Sequence, residues 1–152
     1  MNWLWSSFEE LSRDDLYEVL KVRQAVFVVE QNCVYQDADD LDSVSWHLMG
    51  WHEGTSRREL VAYLRVVFPG KKYPEPSIGR VLTTASMRGT GAGKELTREA
   101  ITHIALEYPQ MSIRISAQRY LEKFYSEFGF EAVSDPYEED GIPHIEMLRK
   151  AT

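Results

Sequence analysis

The chain has 152 residues, enough for one domain with a real core. Hydrophobic residues at 43% and charged residues at 27% place it among ordinary globular proteins, and a net charge of −7 argues against a general nucleic-acid binder. No apolar run approaches the roughly 20 residues of a membrane span, the N-terminus lacks a signal-peptide pattern, and Cys33 alone excludes an intrachain disulfide, so a reducing cytoplasm is expected.

From the N-terminus, Asn2 to Phe8 alternates Trp3 and Trp5 with small polar residues and predicts a strand. Ser12, followed by Asp14 and Asp15, marks a helix start, and Leu16, Val19, Leu20, Arg23 and Phe27 at helical spacing predict a helix from Asp14 to about Glu30. The loop after it carries Asp37, Asp39, Asp40 and Asp42. Such loops are usually solvated, and this one lacks the Gly and terminal Glu of a calcium loop, so no metal is expected. Trp46 to His52 and Glu59 to Phe68 predict an antiparallel hairpin, and the proline-rich Pro69 to Pro76 predicts a loop. Ile78, Val81 and Leu82, extended by Thr83 and Thr84, predict a strand. The loop from Arg88 to Gly93 follows, and then a helix whose apolar stripe is Leu96, Ala100, Ile101 and Ile104.

Ser112 to Ala117 predicts a further strand and Arg119 to Phe128 a helix, with Gly129 as its stop. Phe130 to Ser134 predicts a strand, Tyr137 to Pro143 an acidic turn-rich loop, and Ile145 to Leu148 the last strand. The order β-α-β-β-β-α-β-α-β-β predicts one α/β domain over residues 1–152, a mixed sheet with helices on both faces.

A glycine loop feeding a helix N-terminus cradles anions, because unpaired N–H groups and the positive dipole end face the ligand. The spacing here fits neither the dinucleotide fingerprint nor the nucleotide-hydrolase loop, since Lys94 is followed by Glu95. What it does match is Arg-x-x-Gly-x-Gly, at Arg88, Gly91 and Gly93. About thirty residues on stands Phe124-Tyr125-Ser126-Glu127-Phe128-Gly129-Phe130. With the strand between them, the two segments resemble the GNAT superfamily of N-acetyltransferases. Val26 to Gln31 and Glu138 to His144 resemble its ElaA-like branch. The chain departs from many members in having Ala85, not Pro, three residues before the Arg.

The resemblance implies a mostly antiparallel, twisted sheet with splayed central strands, and acetyl-CoA as cosubstrate. It assigns the diphosphate to Arg88, Gly89, Thr90, Gly91, Ala92, Gly93 and Lys94, and the pantetheine arm to the strand backbone at Leu82, Thr83 and Thr84, with Gln118 a further contact. Tyr125 lies where the family places a hydroxyl near the coenzyme A sulfur, and a phenol is a reasonable acid for a departing thiolate. The base is open among His47, Glu30 and His144. Arg65 and Arg80 could meet a substrate carboxylate or form ordinary salt bridges. The acidic segments Asp37 to Asp42 and Glu138 to Asp140 are candidates for an acceptor entrance that favours cations.

The expected function is acetyl transfer to a primary amine in a ternary complex. The acceptor is a small molecule or a peptide lysine, with neither nucleic acid nor membrane as partner, and exposed sheet edges leave homodimerisation open. A non-catalytic acetyl-CoA sensor and a purely structural domain are the alternatives.

Overall fold

A computed structural model describes residues 1–151. Strand β1 (Asn2–Ser7) pairs antiparallel with β2 (Ser45–Glu53), β2 with β3 (Arg58–Val67), and β3 with β4 (Ser77–Thr83). In a second sheet, β8 (Ile142–Arg149) lies between β5 (Ile113–Gln118) and two short strands, β6 (Phe130–Ala132) and β7 (Tyr137–Glu139), again antiparallel throughout. Helix α1 (Arg13–Arg23) follows β1, α2 (Ala92–Glu107) links β4 to β5, and α3 (Glu122–Ser126) links β5 to β6. No described helix is long and apolar enough to cross a membrane.

The period-two pattern of β2 and β3 builds two cores. Leu48, Ala62, Leu64 and Val66 face Leu96, Ala100 and Ile104 of α2, in a cluster continuous with Ile113, Ile115, Ala117, Ile145 and Met147 of the second sheet. Met49, Trp51 and Tyr63 point the other way, onto Val19, Val26 and Phe27. The second sheet therefore joins the first mainly through side chains and α2. A backbone bond from Arg114 N–H to Pro76 O (3.1 Å) ties the start of β5 to the residue before β4.

Three segments differ from the sequence-based expectation. The predicted helix from Asp14 to Glu30 keeps α-geometry only to Arg23, and Gln24–Glu30 is a π-helix closed by Gln31 N–H on Val26 O (3.1 Å). Its Val26-Phe27-Val28-Val29 run is β-branched and aromatic, a weak α-former, and the wider turn buries Val26 and Phe27 together. The predicted helix from Arg119 to Phe128 is a 3₁₀ turn followed by the five-residue α3, with Gly129 after it at φ 89°. Tyr137 to Pro143 is a β-hairpin, with Asp140 and Gly141 both at positive φ.

The acid-rich loop is not merely solvated. Arg23, fully buried on the inner face of α1, contacts Asp37 at 2.9 Å and Asp42 at 2.7 Å. Arg65 bonds Asp39 (2.8 Å) and Asp42 (3.0 Å), and Arg80 bonds Asp37 (2.9 Å) and Asp39 (3.3 Å). Arg65 and Arg80 thus take the salt-bridge alternative, and the chain from Asp37 to Asp42 is strapped to the first sheet. Asp40 alone of its four acids is exposed. Burial pushes the Asp39 and Asp42 carboxyls up, but the guanidiniums outweigh it and hold both below the usual range. Carboxyls depressed in the folded state add stability above their unfolded pKa, about 4, and that stability is lost as pH falls through the folded values. The urea midpoint should accordingly drop as pH is lowered below about 4. In Asp42→Asn that slope should be shallower, and an equal slope would place the acid sensitivity elsewhere.

Candidate active site

Strands β4 and β5 begin side by side and then diverge. Opposite Tyr63 to Arg65, β4 runs from Leu82 to Gly79, one residue more than its partner, so it carries a bulge. Arg80 lies in it at φ 50°, an unusual conformation for a non-glycine residue, and is held there by Asp37 and Asp39. Thr84 N–H bonds Val61 O at 2.9 Å, so strand alternation puts the backbone groups of Thr83 on the opposite edge, facing away from β3. The resulting cleft is walled by Ile78 to Val81 of β4 and Ile115 to Gln118 of β5. It is closed by Cys33 and Tyr35 from the strapped loop, Tyr125 from α3, and Glu139, Asp140 and His144 from the β7–β8 hairpin.

At the C-terminal end of β4, the chain makes a 3₁₀ turn (Ala85–Met87) and enters the glycine loop. Gly89 and Gly91 adopt φ of 80° and 87°, and Gly91 caps α2. The first intrahelical bond is Glu95 N–H on Gly91 O (3.1 Å). Among the described residues, the N–H groups of Gly89, Gly91, Ala92, Gly93 and Lys94 have no protein acceptor. A Cβ at Gly89, Gly91 or Gly93 would project into open space, so nothing in the protein blocks an anion from these donors. Arg88 is bidentate to Glu30 (2.6 and 3.2 Å) and also donates to Thr83 O (3.1 Å). Lys94 sits 3.6 Å from Glu127, both exposed.

Tyr125 is 5% exposed, and its ring is wedged edge-on against Phe124 and Phe130. Burial, with a smaller effect from Tyr120, pushes its hydroxyl above the ordinary phenol value. That hydroxyl has no protein hydrogen-bond partner among the described residues. Gln118 ends β5 on the cleft wall, and Leu82 to Thr84 continue the edge of β4 toward Arg88.

The three base candidates separate. His47 is fully buried outside the cleft. Its Nδ1 is 2.7 Å from the Tyr63 hydroxyl and its Nε2 2.9 Å from Asp42 O, and burial holds the ring below its ordinary pKa. Glu30 lies at the mouth of the glycine loop, tied to Arg88. His144 alone of the three lines the cleft with Tyr125.

Sequence reasoning missed the bulge at Arg80 and the entry of Cys33, Tyr35 and Lys72 into the cleft. An arginine on an apolar helical stripe, Val19-Arg23-Phe27, was the available signal that the acid-rich loop folds inward.

Comparison with known proteins agrees with this geometry. Residues 56–151 match a family profile described as an acetyltransferase (GNAT) domain. A UPF0039 protein of Synechocystis sp. is 50% identical over 148 residues, 97% of this chain and 94% of that protein. Protein ElaA of Escherichia coli is 40% identical over 152 residues, 99% of this chain and 97% of that protein. The crystal structure of Escherichia coli ElaA covers 98% of this chain and 99% of its own, with a TM-score of 0.90 at 39% identity. An acyl-CoA N-acyltransferase from Pseudomonas aeruginosa gives the same TM-score of 0.90 at 37% identity, over 98% of this chain and 99% of that one. The chain belongs to the GNAT acetyltransferase family, in its ElaA-like branch, and is an acyl-CoA-dependent acyltransferase.

Proposed function

We propose that this enzyme transfers the acetyl group of acetyl-CoA to a primary amine by direct attack within a ternary complex. The observation that carries the reading is the set of unpaired N–H groups of Gly89, Gly91, Ala92, Gly93 and Lys94, at the end of the strand edge that walls the Tyr125 cleft. These donors fit a diphosphate, being fixed in place, clear of side chains and at the positive end of the 16-residue α2. Arg88, paired with Glu30, and Lys94, near Glu127, flank the same mouth, and Thr90 completes the loop. When bound, acetyl-CoA supplies the activated acetyl thioester.

The chain's own residues do the rest. On the edge of β4 formed by Leu82, Thr83 and Thr84, the outward-facing N–H of Thr83 is open to an extended amide arm, with Gln118 as a polar contact across the gap. Thr83 N–H is an edge donor for a carbonyl oxygen lodged beside it. Tyr125 holds a proton at its hydroxyl throughout the neutral range, because burial raises its pKa, and delivers it to the sulfur. The walls formed by Ile78, Val81, Ile115 and Leu121 exclude water from that end of the cleft.

The reading is tested by incubating the enzyme with acetyl-CoA and a set of primary amines and following free thiol and the acetylated product mass. It is tested again by Gly91→Val. A β-branched residue is strained at φ 87°, and its side chain would cover the donors. The expected result is a 10- to 100-fold rise in acetyl-CoA Kd by calorimetry, the effect of losing one charge-assisted hydrogen bond, with the circular dichroism spectrum retained. Unchanged affinity would put the diphosphate elsewhere.

A further inference from the structure

We infer that His144 is the base that takes the proton from the acceptor amine, with Glu139 as its outlet to solvent. The inference rests on the acetyltransferase reading and assigns the one role that reading leaves vacant.

The second sheet has two faces. Ile115 and Ala117 of β5 sit opposite Met147 and Ile145 of β8, and this side is the core from which Tyr125 enters the cleft. Ser116 and Gln118 sit opposite Glu146 and His144, and this side is polar. Tyr125 and His144 therefore reach one cleft from opposite faces of the same sheet. Direct transfer can use that separation, because the amine adds over one face of the planar thioester while the sulfur leaves from the plane, so the base and the acid serve different atoms.

His144 is built to present one particular nitrogen. Its Nδ1 lies 2.7 Å from Ile142 O, a carbonyl that can only accept, so Nδ1 keeps its hydrogen and protonation changes occur at Nε2. Nε2 lies 3.2 Å from Glu139 Oε2. The imidazole is nine-tenths buried, whereas the Glu139 side chain is about half exposed, 46%, so the carboxylate bridges the ring to solvent. Tyr137, paired with His144 across the hairpin, stacks on the ring with centroids 6.2 Å apart and fixes its plane.

The other charged or titratable groups at the cleft are Asp140 on the hairpin turn, Lys72, Cys33 and Tyr35 across from it, and Arg80, already paired with Asp37 and Asp39. None of them makes a hydrogen bond to the imidazole. His47 has both ring nitrogens engaged inside the first sheet, and Glu30 is held by Arg88, so neither competes for the role.

The protons balance. As the amine nitrogen bonds the acyl carbon and the carbon–sulfur bond breaks, Nε2 accepts the proton the nitrogen loses and Tyr125 gives its hydroxyl proton to the sulfur. The imidazolium then passes its proton through Glu139 to solvent, and solvent reprotonates Tyr125.

The test uses His144→Asn, whose amide can keep the hydrogen bond to Ile142 O while removing Nε2, and Glu139→Gln. Acceptors are spermidine, Nα-acetyl-lysine and phenethylamine. With acetyl-CoA Kd by calorimetry unchanged in both variants, His144→Asn should lower kcat/KM about 100-fold and abolish the acidic limb of its pH profile. Glu139→Gln should lower it about tenfold and keep that limb, since the imidazole is retained and only its outlet is lost. Independently of turnover, ¹⁵N chemical shifts of the neutral ring in the wild-type protein should report the Nδ1–H tautomer. If the wild type acetylates an amine and His144→Asn stays within twofold of it with the limb intact, the base assignment fails alone. The same holds if the ring is the Nε2–H tautomer. No acetyl transfer by the wild type to any of the three overturns the acetyltransferase reading and the assignment together.

Discussion

Tyr125→Phe should lower kcat on the order of 100-fold where chemistry limits the rate, with acetyl-CoA affinity unchanged. The substitution removes one oxygen and keeps the ring, whose edge-on contacts with Phe124 (5.1 Å between centroids) and Phe130 (5.9 Å) do not involve the hydroxyl. Packing and fold should therefore survive, and the change is confined to the proton that leaves with the sulfur. Burial raises the Tyr125 pKa above the ordinary phenol value of about 10, so the proton is retained at every pH where the enzyme is usefully assayed. Any fall in wild-type rate below about pH 10 should consequently come from another group. A Phe variant with near-normal kcat would remove the acid assignment but leave acyl transfer standing, since water can protonate a thiolate.

Arg23→Met should cost about 3–5 kcal/mol of stability, because it leaves Asp37 and Asp42 buried with one cation fewer. For a chain of this size that corresponds to a fall in Tm of roughly 10 °C or more. The long apolar side chain fills much of the vacated volume, so the loss reports uncompensated charge more than a cavity. Asp42→Asn in the Arg23→Met background should then cost less than it does in the wild type, a coupling that denaturant titration of the four proteins would measure. Simple additivity would mean that the two side chains are neighbours without being partners. Because the same network anchors the loop bearing Cys33 and Tyr35 on the cleft, Arg23→Met should also raise KM for the amine at temperatures where the fold persists.

The elements with clean periodicity were legible. The alternation in Trp46 to His52 and Glu59 to Phe68, and the stripe Leu96-Ala100-Ile104, each placed an element within two residues or so of where it is found. The glycine loop was legible as well, because Arg-x-x-Gly-x-Gly is a local pattern. What stayed hidden depends on contacts between distant segments. Arg23 and Asp42 are separated by 19 residues and Arg80 and Asp37 by 43, and no local rule pairs them. The β7–β8 hairpin was obscured by Pro143 and the acidic run around it. Yet Asp140-Gly141, with both residues at positive φ, is a recognisable two-residue turn flanked by Tyr137 and Glu139 on one arm and Ile142 and His144 on the other. Reading that turn correctly would have placed Glu139 beside His144.

The junction between the sheets has a mechanical meaning. Arg114 donates its own N–H to Pro76, grips Glu75 with two guanidinium nitrogens (2.9 and 3.2 Å) and reaches Glu146 with the third (3.0 Å). Beyond this rivet β4 and β5 share no ladder, so varying the width of the gap ruptures no backbone bond. The width of the gap is therefore set by side chains, those of Arg114 at one end and the shared core under α2 along its length, and not by a backbone ladder.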